Sequence, residues 1–142
     1  MTQNWLVAID DSDIALKPIA WILANREHWR ETPTIHLLNV QANLPRDIGR
    51  FINADTIREF HSDNGMAALA PARDQLIAAG ITPEVHLLVG EAAPTISEFA
   101  ISHQCAQILI GTRGHSGLSG TLLGSVANKL ASLSTVPPLL VR

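Results

Sequence analysis

Gly111-Thr112-Arg113-Gly114-His115-Ser116-Gly117-Leu118-Ser119-Gly120-Thr121-Leu122-Leu123-Gly124-Ser125 is the stretch on which the reading of this chain turns, with five glycines in fifteen positions. An apolar run, Ile108 to Ile110, precedes it, and a segment that should open a helix at Ser125 and bury Val126, Leu130 and Leu133 follows it. Strand, glycine-rich turn and helix start, in that order, are where phosphate sites form in doubly wound sheets. Glycine lets backbone amides come close to an anion, and a helix N-terminus adds unpaired donors and a favourable dipole. That placement favours a phosphate loop over glycines that merely make turns. It is not a Walker loop, because Gly124-Ser125 is followed by Val126 and no lysine reaches the phosphates. Nor is it a dinucleotide fingerprint, which should follow the first strand, here ending in Ile9-Asp10. Arg113, the nearby cation, reads either as a phosphate partner or as a solvent residue.

Working outward, four more apolar runs rich in Val, Ile and Leu read as strands: Trp5 to Ile9, Ile35 to Val40, Val85 to Val89 and Leu139 to Val141. Most are nearly continuous rather than alternating, which predicts a parallel sheet buried on both faces by helices. The first helix follows the capping residues Asp10-Asp11-Ser12-Asp13, and Pro18 makes it start late or kink. The second covers Ile57 to Ala79, with Ile57, Phe60, Ala67, Ala70, Leu76 and Ile77 on one face and Gly80 as its stop. Asn64-Gly65 and Pro71 predict a break within it. A third opens at Ala93-Pro94 and turns Ile96, Phe99 and Ala100 inward. The order β-α-β-α-β-α-β-α-β implies right-handed crossovers and ligand binding at the carboxyl ends of the strands, in the loops after Ile9, Val40, Val89 and Ile110. Residues 41 to 55 form the one long irregular stretch, a place for a lid or partner surface.

A chain of 142 residues, 46% hydrophobic and 16% charged, suits one domain with a real core. Its net charge of −3 and scattered basic residues exclude the clustered positive field that nucleic-acid backbones require. The single cysteine, Cys105, rules out an internal disulfide and a thiolate metal centre, and reads as a small buried side chain. No basic leader and no run near ~20 apolar residues is present, so the expected location is the cytoplasm, with no membrane partner.

With these elements in place, the sequence resembles the universal stress protein family. The pattern Gly-x2-Gly-x9-Gly-Ser/Thr of that family's ATP-binding branch is met by Gly111, Gly114, Gly124 and Ser125. Val7-Ala8-Ile9-Asp10 and Leu37-Leu38-Asn39-Val40 look like its first two strands, Gly90-Glu91-Ala92-Ala93-Pro94 like the turn before its third helix, and Val136-Pro137-Pro138-Leu139-Leu140-Val141 like its proline-led last strand. The resemblance implies a single α/β domain over residues 1–142. Its sheet would be five-stranded, parallel and doubly wound, Rossmann-like and adenine nucleotide alpha hydrolase-like, with strand order 3-2-1-4-5. It also implies ATP, ADP or AMP as ligand and a homodimer through the C-terminal strand, while Asp10 and Asp11 are the carboxylates that could hold Mg²⁺. Carried over by position, Asp10 meets the ribose and Val40 meets adenine through its backbone beside Ile9. Gly111, Gly114, Gly124, Ser125 and Val126 hold the phosphates, with Arg113 at hand.

Asp10 also has a capping reading, and Val40 is equally a core residue. His28 and His61 read as solvent residues, His103 as helical, and His115 as an exposed turn residue within reach of a phosphate. His36 and His86 sit in strands with no spacing that suggests metal. No assembled base, nucleophile and orienter is recognisable. The first functional reading is therefore a regulatory ATP-binding protein. The alternatives are a slow ATPase or autophosphorylating enzyme, and a structural or chaperone-like dimer that needs no nucleotide.

Overall fold

A computed structural model describes residues 2–112 and 123–142. Arg113, Gly114 and His115 lie outside the described residues. The elements follow the alternating order: β1 (Asn4–Ala8), α1 (Lys17–Asn25) continued by a 3₁₀ turn (Arg26–His28), β2 (Thr34–Gln41), α2 (Arg46–Gly49), α3 (Ala54–Ala78), β3 (Glu84–Val89), α4 (Ala92–Ser102), β4 (Cys105–Gly111), α5 (Ser125–Leu133) and β5 (Pro138–Val141). All strand pairings are parallel and the sheet order is β3-β2-β1-β4-β5.

Strand alternation splits the core into two layers. Odd-numbered residues Trp5, Val7, Ile35, Leu37 and Leu109 pack against Ile19 and Ile22 of α1 and Leu69, Ala72 and Leu76 of α3. Even-numbered residues Leu6, Ala8, Leu38, Ile108 and Ile110 pack against Ile96 and Phe99 of α4 and Ala127 and Leu130 of α5. The doubly wound sheet follows, with β1 and β4 buried in its middle. The expectation of a wholly buried sheet fails at the β3 edge, where Leu88 and Val89 are exposed, because an edge strand has cover from one neighbour only.

Four local expectations are corrected. The break predicted in the second helix does not occur: α3 is one helix containing both Gly65 and Pro71. Its buried stripe is His61, Gly65, Leu69, Ala72 and Leu76, while Phe60 and Ile77 are half-exposed. Gly65 is accommodated because the helix lies so close to the sheet that a Cβ there would collide with the side chain of Leu87. On α5 the inward residues are Ala127 and Leu130, with Val126 partly buried and Leu133 exposed. Residues 41 to 55 are not wholly irregular, since they contain α2. As for Pro18, it stands in the first turn of α1, which starts late at Lys17.

Cys105 is buried at the start of β4, and burial pushes its thiol up to about 11. It is an inert core side chain. Among the described residues no helix is long and apolar enough to cross a membrane.

Candidate functional site

In this topology the connections from β1 and β4 leave to opposite sides of the sheet, so a crevice opens between their carboxyl ends. A cleft of about 1220 Å³ lies there. Ile9, Asp10, Val40, Gly111, Gly124, Ser125 and Val126 all line it, so the fold gathers every described residue of the sequence-derived set at one place.

The β1 end forms one wall. Asp10 is exposed, and its Oδ1 accepts hydrogen bonds from the Ser12 backbone N–H (2.9 Å) and from Ser12 Oγ. The capping reading of the acidic cluster is corrected here. Helix α1 begins only at Lys17 behind Leu16, with no side-chain cap, and the intervening residues turn through bonds from Ala15 N–H to the Ser12 carbonyl and from Lys17 N–H to the Ile14 carbonyl. Asp10 is therefore held in an Asx-type turn facing the cleft rather than spent on a helix end.

Val40 forms the next wall. Successive residues of a parallel strand send their backbone groups to alternate sides. The Leu38 carbonyl accepts from Ile9 N–H on the β1 side, and the Gln41 carbonyl accepts from Gly90 N–H on the β3 side. Val40 therefore directs its N–H and C=O toward β1, past that strand's last residue and into the cleft. Its side chain packs on the α4 and α5 core layer, so the core reading and the cleft reading of Val40 are both met, by different atoms.

Across from these stands the first turn of α5. Gly124 is its N-cap without a side-chain bond, and Asn128 N–H is the donor that closes on the Gly124 carbonyl. The amides of Ser125, Val126 and Ala127 thus precede the first intrahelical bond and present the donors and dipole end that suit an anion. Gly124 N–H donates to the Thr112 carbonyl and Thr112 N–H to Val141, which fixes the helix start to the ends of β4 and β5. At Gly111 the chain passes close to Ile14, where a Cβ would lie 3.1 Å from the Ile14 carbonyl and from its Cδ1.

Two positioning residues escaped the sequence reading. Asn39 is buried, donating from Nδ2 to the Ile9 carbonyl (2.8 Å) while its Oδ1 accepts from Gln41 Nε2 (2.6 Å). It splices the ends of β1 and β2 where they stop pairing. His61, expected in solvent, is buried on α3 and lies 3.1 Å from the Ala42 carbonyl, to which Nε2–H donates. It pins the segment leaving β2 over the cleft. A polar residue at a strand end and a histidine at stripe spacing with Gly65 and Leu69 were the available signals.

Residues 1–142 match a family model described as the universal stress protein family. Universal stress protein YxiE of Bacillus subtilis (strain 168) is 30% identical over an alignment of 148 residues that spans 100% of both chains. Among solved structures, hypothetical protein MJ0577 superposes with a TM-score of 0.82 at 21% identity, over 99% of this chain and 96% of that one. A universal stress protein in complex with cAMP superposes with a TM-score of 0.69 at 25% identity, over 99% and 97%.

Proposed function

The chain belongs to the universal stress protein family, and from that premise we propose that it is a regulatory adenine-nucleotide-binding protein whose ligand lies in the carboxyl-end cleft. What carries the reading is the convergence of α5's first turn on Asp10 and Val40 across the crevice beside β1. The related structure in complex with cAMP supports the ligand class. The residues fit an adenine nucleotide part by part. The backbone of Val40 reads the base edge, with Ile9 in the wall behind it. The Asp10 carboxylate, oriented by Ser12, accepts from ribose hydroxyls. Gly111, Gly124, Ser125 and Val126 receive the phosphates at the helix N-terminus, completed by Gly114 and Arg113. ATP is the preferred nucleotide because Gly111, Gly114, Gly124 and Ser125 match the pattern of the family's ATP-binding branch. Mg²⁺, taken up beside Asp10 and Asp11, would neutralise part of that charge.

The nucleotide biases conformation or partner choice in the stress response rather than being turned over, and the place of action is the cytoplasm. The chain works as a homodimer through β5, the sheet edge whose outer side no other described strand covers. Sedimentation should return the mass of two chains; a single-chain mass contradicts the dimer. Purified protein mixed with ATP, ADP, AMP or cAMP at ~100 times the dissociation constant should melt roughly 5 to 10 °C higher, since a ligand bound only to the folded state adds about 2.7 kcal/mol. No shift with any of the four nucleotides sinks the ligand assignment and favours the nucleotide-independent dimer.

A further inference from the structure

At the opposite end of the sheet, the strands bring together a side chain of β2 and two of β3 that lie about 50 residues away in sequence. His36 on β2 pairs in register with Glu84 on β3, and His86 follows two residues later on the same face. His36 Nδ1 lies 3.0 Å from His86 Nε2 and 3.2 Å from Glu84 Oε2, and the last two atoms are 4.0 Å apart. From these contacts we infer that His36, Glu84 and His86 form a binding site for one divalent transition-metal ion of the zinc type, separate from the nucleotide cleft.

The hydrogen count around His36 makes the case. Asn4 Nδ2 donates to the His103 carbonyl (3.1 Å), which turns Asn4 Oδ1 toward His36 Nε2 at 3.2 Å. An amide oxygen only accepts, so Nε2 carries the proton and Nδ1 presents a lone pair. That lone pair faces a carboxylate oxygen, another acceptor, and His86 Nε2–H has a single proton for the two of them. A proton on His36 or a metal cation would relieve the conflict, and a cation meets all three ligand atoms at once.

The geometry suits such an ion. Tetrahedral zinc with bonds of ~2.0–2.1 Å to nitrogen and oxygen separates its ligand atoms by about 3.3 Å, and the three observed distances bracket that value. Two imidazoles and one carboxylate are borderline-hard donors that take Zn²⁺, Co²⁺ or Ni²⁺ in preference to Mg²⁺ or Ca²⁺. The Nε2–H of His36 on Asn4 is the outer hydrogen bond that ligating histidines characteristically make. Glu84 is exposed, which leaves the fourth position to solvent. Four residues along β2 separate His36 from Val40, roughly 13 Å at 3.3 Å per residue, so the two sites do not share atoms. An ion here would clamp the half-exposed edge strand β3 onto β2.

The test uses tag-free, chelator-treated full chain, titrated with Zn²⁺ against a chromophoric chelator, and Co²⁺ as a spectroscopic stand-in. One equivalent should bind, and Co²⁺ should give the intense visible bands of a four-coordinate site. Glu84→Gln and His86→Ala, both at side chains that reach solvent, should weaken Zn²⁺ by ~10-fold or more while leaving circular dichroism and the nucleotide-induced thermal shift unchanged. Failure of the wild-type chain to take up an ion in competition overturns the site. So does unchanged affinity in both variants.

Discussion

Ser125→Asp should separate folding from ligand binding: the variant melts at or above the wild-type temperature, yet its affinity for ATP falls by ~10-fold or more. Ser125 opens α5, where Gly124 caps without a side-chain bond and no acidic residue stands in the first turn. A carboxylate there complements the helix dipole and is worth about 0.3–1 kcal/mol to the fold. For a phosphate at the same helix end, the new charge is a competitor. At ~4 Å, two unit negative charges repel by about 1 kcal/mol at the dielectric of water and about 4 kcal/mol at an effective value of 20, and each 1.4 kcal/mol is tenfold in affinity. Isothermal titration with ATP alongside a melting curve checks both halves. Retained affinity would move the phosphates away from α5, and a large loss of stability would mean that the serine is a structural cap.

The second large effect is on the fold. Leu109 on β4 is fully buried, packed in the layer shared with Ile19, Ile22 and Val7, and flanked in register by Val7 on β1 and Leu139 on β5. Truncating a leucine at such a site costs the transfer of its methyl groups and leaves a cavity, about 2–5 kcal/mol together. Against a total of ~5–15 kcal/mol that is a large share. Leu109→Ala should therefore melt roughly 10 °C lower, and urea unfolding should show the same loss. Trp5, Trp21 and Trp29 form a contact cluster within that layer and report the transition by fluorescence. Leu133→Ala on α5 is the control, changing stability by no more than ~0.5 kcal/mol because that leucine is 44% exposed.

That control bears on how far the chain could be read before its structure. The strands were legible because parallel strands covered on both faces need continuous apolar runs. A crevice at the carboxyl ends was legible because the glycine-rich turn between Ile110 and Ser125 stands between a strand end and a helix start, although glycines there also serve simply to make turns. Helix faces were harder. On α3 the buried stripe runs through His61 and Gly65, neither of which counts as apolar, so scoring hydrophobic residues alone rotated the face toward Phe60 and Ile77. Pro71 and Gly65 carry real local penalties, yet α3 runs unbroken along the sheet, and its packing at Gly65 and Leu69 outweighs them. Register was invisible altogether. Nothing in the spacing of His36, Glu84 and His86 reveals the register that sets His36 opposite Glu84 within the expected parallel pairing of β2 and β3, so the two histidines read as unrelated strand residues.

Asn39 belongs to the same class. Its role follows from where β1 stops relative to β2, a property of the pairing rather than of either strand. Asp10 is the reverse case, since the sequence offered two roles for it and the late start of α1 removes one of them.

The most direct test of the nucleotide cleft is an amide NMR titration of the ¹⁵N-labelled chain with ATP. The largest shifts should fall on Asp10, Val40, Gly111, Gly124, Ser125 and Val126, with His36, Glu84 and His86 at the far end of the sheet unmoved. Saturating ATP that leaves the cleft amides in place, or that shifts residues elsewhere instead, would contradict the assignment.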